Sequence, residues 1–405
     1  MSEIRKVEKS IVIETTPELA FEAVTKASEL REWFSDEAWT EVKAGGRYEV
    51  RWNQGYRSEG TFTKLDPPRR AAVTWQGTGE PGKTTVEFTV EAADDGGVTL
   101  TVIHGGFGAG EEWDAAVAEA EKGWAGGLDN LKSTLETGVD LRLARQPFLG
   151  INLDLLTPER AAKEGIAAEQ GIYVQGTVEG SGARAAGLGQ GDVIVALGGA
   201  ETPGFAELGA ALRAHQAGDM VEVALVRGQE KETVQVTLGS RSQPEVPEDA
   251  EALAGLLAKG HDAVSAELEA AVEGVTEDEA AQQPADGEWS VKQILAHLSE
   301  GERAFHVFLV NMAINGWLDA GPIYPDQILG RLEAVLDVTP TLPGLVERFT
   351  TDQAETVAII RRLPETTMIH RARFHRIGQF AIYGPDHTRE HIEQIKETIK
   401  AVRGA

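Results

Sequence analysis

The chain has 405 residues, 41% of them hydrophobic, no cysteine, and a formal net charge of −27 at pH 7. That length exceeds one ordinary domain and suggests about two to four, while the lack of cysteine excludes disulfides, thiolate ligands and a cysteine nucleophile, so any metal must be held by histidine and carboxylate. The acidic balance excludes a nucleic-acid surface, which needs clustered Lys and Arg, and reads as a solvated acidic exterior.

The opening 1-MSEIRKVEK-9 lacks the apolar run of a signal peptide, and nowhere are there 18 consecutive apolar residues. A soluble cytoplasmic protein without a membrane span is expected. An apolar strand, 10-SIVIE-14, is followed by Thr16 as N-cap, Pro17 at the first helical position and one helix over 18–34. The runs 47–53, 59–67, 71–77, 84–93 and 97–104 alternate and are broken by Gly, Pro and Asp, which predicts an antiparallel sheet. Val117, Ala120, Trp124, Leu128, Leu131 and Leu135 then form one stripe on a long closing helix.

This order is that of a helix-grip, and the residues 8-EKSIVIETTPELAFEAVT-25, Glu32-Trp33-Phe34 and 122-KGWAGGLDNLKSTLE-136 resemble the START-like (SRPBCC) superfamily, in its branch of activators of the heat-shock chaperone ATPase. The resemblance covers residues 1–139 and implies a small apolar ligand held between the long helix and the sheet. It carries no catalytic motif, and chaperone activation does not follow from the fold.

The middle segment contains FLGI at 148–151, GSGARAAGL at 180–188 and GDVIVALGG at 191–199. In that order they resemble a PDZ domain of the HtrA protease type over residues 146–240. The resemblance implies that the backbone N–H groups of Leu149, Gly150 and Ile151 bind a terminal carboxylate, beside a groove in which the helix 205–215 and an edge strand receive a protein C-terminal peptide. Neither His104 nor His215 has the context of a protease triad.

Texture shifts again at 240-SRSQPEVPEDAEA-252, a polar, Pro-containing linker over 240–249. Helices follow: a face of Leu253, Leu256, Leu257, His261, Val264 and Leu268, a long apolar helix over 290–313, a third around 343–363, and a fourth over 387–402 with Pro385 at its start or at a kink. Four helices imply a bundle, whose core is a place for metal sites. The overall fold class expected is multidomain α+β: a helix-grip domain, a small β-rich PDZ domain and an all-α four-helix bundle over 248–405.

In 386-DHTREHIEQI-395, His387 and His391 are four apart and share a helix face. HTREH also matches the H-x-x-E-H of inverted zinc peptidases. Such an enzyme needs a third ligand well downstream; Glu393 points away and Glu397 lies more than a turn beyond on the same helix, so that reading fails on geometry. Upstream, 287-GEWSVKQILAHLSEGER-303 places Ser290 as a cap and His297 among Ile294 and Leu298. GEWSVKQILAHL followed by HTREH resembles the DinB-like family, also called YfiT-like metal-dependent hydrolases. The resemblance implies that His297, His387 and His391 bind a divalent metal, for which an all-histidine set suits zinc or nickel; Glu300, one turn after His297, and Glu390, between the paired histidines, are neighbouring acceptors or base and hence the candidate catalytic residues. His306 and His375 read as ordinary.

Two functions remain open. One, implied by the DinB-like resemblance, is a metal-dependent thiol S-transferase or hydrolase, whose sulfur would come from a low-molecular-weight thiol co-substrate because the chain has no cysteine. The other is a non-catalytic ligand- and peptide-binding scaffold or stress-response protein with a structural metal. Homodimerisation is left open by either.

Overall fold

The computed structural model describes residues 5–94, 96–240, 244–315 and 325–404. Part of the expected linker, 241–243, and the extreme ends of the outer segments, 1–4 and 405, lie outside the described residues. The chain forms two compact units, Met1–Val139 together with Pro244–Ala405, and Asp140–Gln243. Among the described residues no helix is long and apolar enough to cross a membrane.

The first unit opens with seven strands: β1 (Arg5–Ile13), β2 (Glu37–Thr40), β3 (Arg47–Arg51), β4 (Arg57–Asp66), β5 (Arg70–Gly77), β6 (Thr84–Ala92) and β7 (Val98–Phe107). They form one antiparallel sheet in the order β1-β7-β6-β5-β4-β3-β2. Alternation puts Val98, Leu100, Val102 and His104 of β7 on the buried face, level with Val86, Phe88 and Val90 of β6. The expected single helix over 18–34 is instead two, α1 (Pro17–Thr25) and α2 (Ala27–Trp33). The break is at Lys26, which is extended, and the freed N–H of Ala27 donates to Thr40 Oγ1 of β2 at 3.0 Å. At the other end of α1, Thr16 caps Leu19 N–H and Pro17 opens the helix as expected. The closing helix α3 (Glu111–Thr137) buries Trp124, Leu128 and Leu131 against the sheet.

In the second unit lie α4 (Leu141–Ala144), β8 (Pro147–Phe148), β9 (Ile151–Leu155), α5 (Pro158–Glu164), β10 (Ile172–Thr177), α6 (Gly182–Ala185), β11 (Asp192–Leu197), β12 (Ala200–Glu201), α7 (Phe205–Arg213), β13 (Met220–Arg227), β14 (Glu230–Thr237) and β15 (Gly239–Ser240). The sheet runs β14-β13-β11-β10-β9, with β12 on β11, and β8 pairs separately with β15. At the head of β11 the buried carboxylate of Asp192 takes Arg227 through two bonds of 2.8 and 2.9 Å and the N–H of Gly189 at 2.9 Å, so the GDVIVALGG stretch is pinned by a bidentate pair.

The first unit resumes with α8 (Ala250–Val272), α9 (Glu277–Ala281), α10 (Val291–Asn315), α11 (Pro325–Val338), α12 (Leu342–Arg361), α13 (Glu365–Ile369) and α14 (Arg371–Gly404). The four long helices form a bundle in which α8 and α10 each pack against α12 and α14. Ser290 and Gln293 cap α10 reciprocally, Ser290 Oγ accepting from Gln293 N–H and Gln293 Oε1 from Ser290 N–H. The last helix begins far earlier than expected, and Pro385 lies inside it rather than at its start. Its ring is buried against α8 at Gly260, where a Cβ would come within 2.8 Å of the Pro385 Cγ; glycine there makes room for the ring.

The sheet domain and the bundle meet where α14 begins. Glu29 and Glu32 of α2 pair with Arg373 and Arg376, the second pair at 2.6 Å, and His370 Nδ1 lies 3.4 Å from Glu29.

Candidate metal centre

Capping by Ser290 sets the register of α10, so that Ile294, Leu295 and Leu298 are buried while His297 stands at the margin of the core, half-buried. The antiparallel α14 presents His387 and His391 from successive turns, also half-buried. The ring centroids of His387 and His391 are 4.6 Å apart, of His297 and His391 4.9 Å, and of His297 and His387 6.0 Å. One ring nitrogen from each lies within 4.8 Å of the others, and among the described residues no carboxylate joins the group.

The surroundings orient these rings and favour the neutral form of His297 and His387. Nδ1 of His391 is 2.8 Å from Gln394 Oε1, so Nδ1–H donates and Nε2 is the ring nitrogen left to face the other two histidines. Nδ1 of His387 faces Glu390 at 3.8 Å. Burial, then the charges that His391 and His387 would carry, push His297 down to about 4. Burial and His391 also lower His387, against a smaller opposing pull from Glu390. Two aromatic rings complete the site: Trp289 lies 5.0 Å from His297 and Tyr383 stacks on His387 at 6.2 Å. Three neutral imidazoles with only histidine nitrogen as donor fit a borderline divalent ion such as zinc or nickel.

The two glutamates are placed differently. Glu390 is exposed beside His387, whereas Glu300 is turned to α11, where Arg331 Nε donates to it at 2.7 Å. Sequence reasoning passed over Trp289, Tyr383 and Gln394. Their signals were present as a Trp in the GEWS stretch, a Tyr four residues before His387 and a Gln three after His391.

In the second unit, Gly150 has φ of +82°, and a Cβ there would lie 2.1 Å from Ser181 Cβ. Its carbonyl accepts from Val178 N–H at 2.9 Å and Ser181 Oγ at 3.0 Å, while Leu149 O accepts from Ala183 N–H at 3.2 Å. Ile151 begins β9, an edge strand of its sheet, on which Leu153 and Leu155 are exposed.

In the sheet domain Phe34 stacks on Trp124 at 5.2 Å, and Trp75 lies 6.1 Å from Trp124. His104 is threaded into this cluster. Trp124 Nε1 donates to its Nδ1 at 3.2 Å, its Nε2 lies 2.7 Å from Thr84 Oγ1, and Thr84 in turn donates to Trp75 O at 3.3 Å. Indole N–H can only donate, so the imidazole proton sits on Nε2.

Residues 14–136 match the family described as Activator of Hsp90 ATPase homolog 1-like protein, residues 147–238 the PDZ domain family, and residues 260–395 the DinB superfamily. Among curated proteins none matches the chain. Solved structures similar to it include the Aha1 dimer from Colwellia psychrerythraea, 24% identical, covering 33% of this chain and 96% of that one with a TM-score of 0.29. An HSP90 activator from Plasmodium falciparum is 22% identical over 32% of this chain and 95% of that one, with a TM-score of 0.28. DynU16, from the dynemicin biosynthetic locus, is 18% identical over 58% of this chain and 86% of its own, with a TM-score of 0.31. The chain therefore joins three domains in sequence: an Hsp90-ATPase-activator-like helix-grip, a PDZ domain and a DinB superfamily bundle.

Proposed function

We propose that the bundle is a divalent-metal-dependent enzyme of the thiol S-transferase or hydrolase type, accompanied by a PDZ domain that takes a protein C-terminal peptide and a helix-grip that takes a small apolar ligand. The observation that carries this reading is the convergence of His297, His387 and His391, from two helices, with ring nitrogens within 4.8 Å of one another. His297, His387 and His391 would hold the ion, zinc or nickel. When bound by three neutral imidazoles, such an ion keeps an open position and lowers the pKa of a water or thiol there.

Gln394 orients His391, and the Glu390 carboxylate, 3.8 Å from Nδ1 of His387, favours a proton on that nitrogen. Glu300 serves as base only when Arg331 releases it. Trp289 and Tyr383 flank the imidazoles of His297 and His387 with aromatic rings. With no cysteine in the chain, the transferred sulfur belongs to a small co-substrate thiol; as its sulfur bonds to the electrophile, the bond to the leaving group breaks, and that group departs with the bonding pair and takes up the thiol proton.

For the PDZ domain, support comes from the tied-back carbonyls of Leu149 and Gly150 and from the open edge of β9. A second reading, a binding scaffold with a structural metal, draws on the ion pairs that join α2 to α14. Turnover of electrophiles with a panel of small thiols, with and without zinc or nickel, separates the two. Activity requiring both metal and thiol supports the transferase, and turnover with metal and water alone the hydrolase. Metal uptake that raises the melting temperature without any turnover supports the scaffold.

A further inference from the structure

On α14 the face that carries His391 and His387 continues at steps of three and four through Gly384 to Phe380. On α10 the face of His297 continues through Gly301 to Phe308. The helices run antiparallel, and these faces meet at both ends: His297 and His391 are 4.9 Å apart by ring centroid, Phe308 and Phe380 5.0 Å. Between those ends a Cβ added to Gly301 or to Gly384 would meet none of the described residues within 4 Å. The result is a trough floored by two glycines, starting at the histidines and closed by an aromatic pair about 16 Å along α10.

Gly301 is not required by the backbone, whereas Gly384 precedes Pro385 inside α14, where a side chain would crowd the proline ring. Both lie in helix interiors, outside the left-handed region, where glycine weakens a helix relative to alanine. Among the described residues no packing contact occupies the space above them. The bordering rings are also unusually open, Phe380 at 56% and Tyr383 at 55% exposure, while the aromatic residues of the sheet domain are largely packed together. Large rings left in water beside an open floor mark a surface awaiting an apolar occupant.

We infer that the trough between α10 and α14 receives the body of the substrate, an aromatic or extended apolar small molecule whose donor head group sits at His297, His387 and His391. This rests on the proposed metal centre. The trough opens directly onto the donor cluster, so a ligand anchored there has its tail delivered over Gly384 and Gly301 to Phe380 and Phe308. Its floor offers no charge to a polar tail, and its length suits a small molecule better than a folded partner.

The test uses the zinc-loaded full-length chain and two hydroxamates, acetohydroxamate and 4-phenylbutanehydroxamate, titrated by calorimetry. The expected result is at least tenfold tighter binding of the phenyl probe. Gly384→Leu and Gly301→Leu should each erase that margin with zinc content and acetohydroxamate affinity unchanged, and Gly301→Leu should melt no lower than wild type. Equal affinity for the two probes on the zinc-loaded wild type, or a margin that survives both substitutions, overturns the trough and leaves the metal centre standing. A chain that takes up no zinc removes the metal centre and the trough proposal with it. A wild-type dimer made monomeric by Gly384→Leu would instead identify the trough as a contact between copies and overturn the proposal.

Discussion

Arg373 in the first turn of α14 forms an ion pair with Glu29 of α2, and their side chains are only 11% and 9% exposed. Through it the helix that carries His387 and His391 is anchored to the helix-grip domain. Burial pushes the Glu29 carboxyl up, but its bond to His370 and the charge of Arg373 outweigh this and hold it at about 2.

Arg373→Ala leaves that carboxylate buried without its guanidinium, and such a loss costs about 3–5 kcal/mol. Urea denaturation should register this as an earlier loss of the helix-grip and bundle together. The pairing is a carboxylate with a depressed pKa, so its contribution is complete above pH 4.5 and is lost as pH falls toward 2. Wild type and Arg373→Ala should therefore converge in stability across that window. A constant difference from pH 7 to pH 2 would show that the ion pair is not the source.

At the metal centre, His297→Ala, His387→Ala and His391→Ala should each leave little metal by elemental analysis, against one ion per wild-type chain. Glu390→Ala should retain most of it. Gln394→Ala removes only the orienting acceptor and should weaken affinity about 10–100-fold. Full metal in His297→Ala would place the ion on HTREH alone and revive the peptidase reading.

His104 accepts from Trp124 at Nδ1 and carries its proton on Nε2. A second proton would set an N–H against the indole N–H, and burial lowers the group to about 4. The unfolded imidazole titrates near 6.5, so between 6.5 and 4 the unfolded chain binds more protons and stability falls as pH drops through that range. In NMR titration the His104 ring should stay neutral down to about pH 5 in wild type. Trp124→Phe removes the opposing donor and should raise the midpoint; an unchanged midpoint would assign the shift to burial alone.

For the PDZ domain, free-acid peptides should bind about 10–100-fold more tightly than their C-terminal amides, the value of a hydrogen-bonded charge at the Leu149–Gly150–Ile151 turn. Gly150→Ala should abolish the difference, since the added Cβ meets Ser181 and the +82° φ strains any L side chain. Circular dichroism would confirm that the variant remains folded. Equal affinity of acid and amide for wild type would exclude the turn as a carboxylate site.

What the sequence determined by itself is what nearby residues settle. Thr16 with Pro17, and Ser290 with Gln293, cap helices through bonds reaching three residues, and alternation in 84–104 sets the buried face of β6 and β7. The four-residue step between His387 and His391 likewise follows from helical pitch. Tertiary structure decided the rest. The break at Lys26 depends on Thr40, a residue of β2 too short to announce itself by pattern. Pro385 stays inside α14 because Gly260 of another helix makes room for it. The pairing of Glu29 with Arg373, the tautomer of His104 and the trough over Gly301 and Gly384 all join residues far apart in the chain. Local bonding is legible in local order, whereas a pairing across the fold exists only once burial has chosen which surfaces meet.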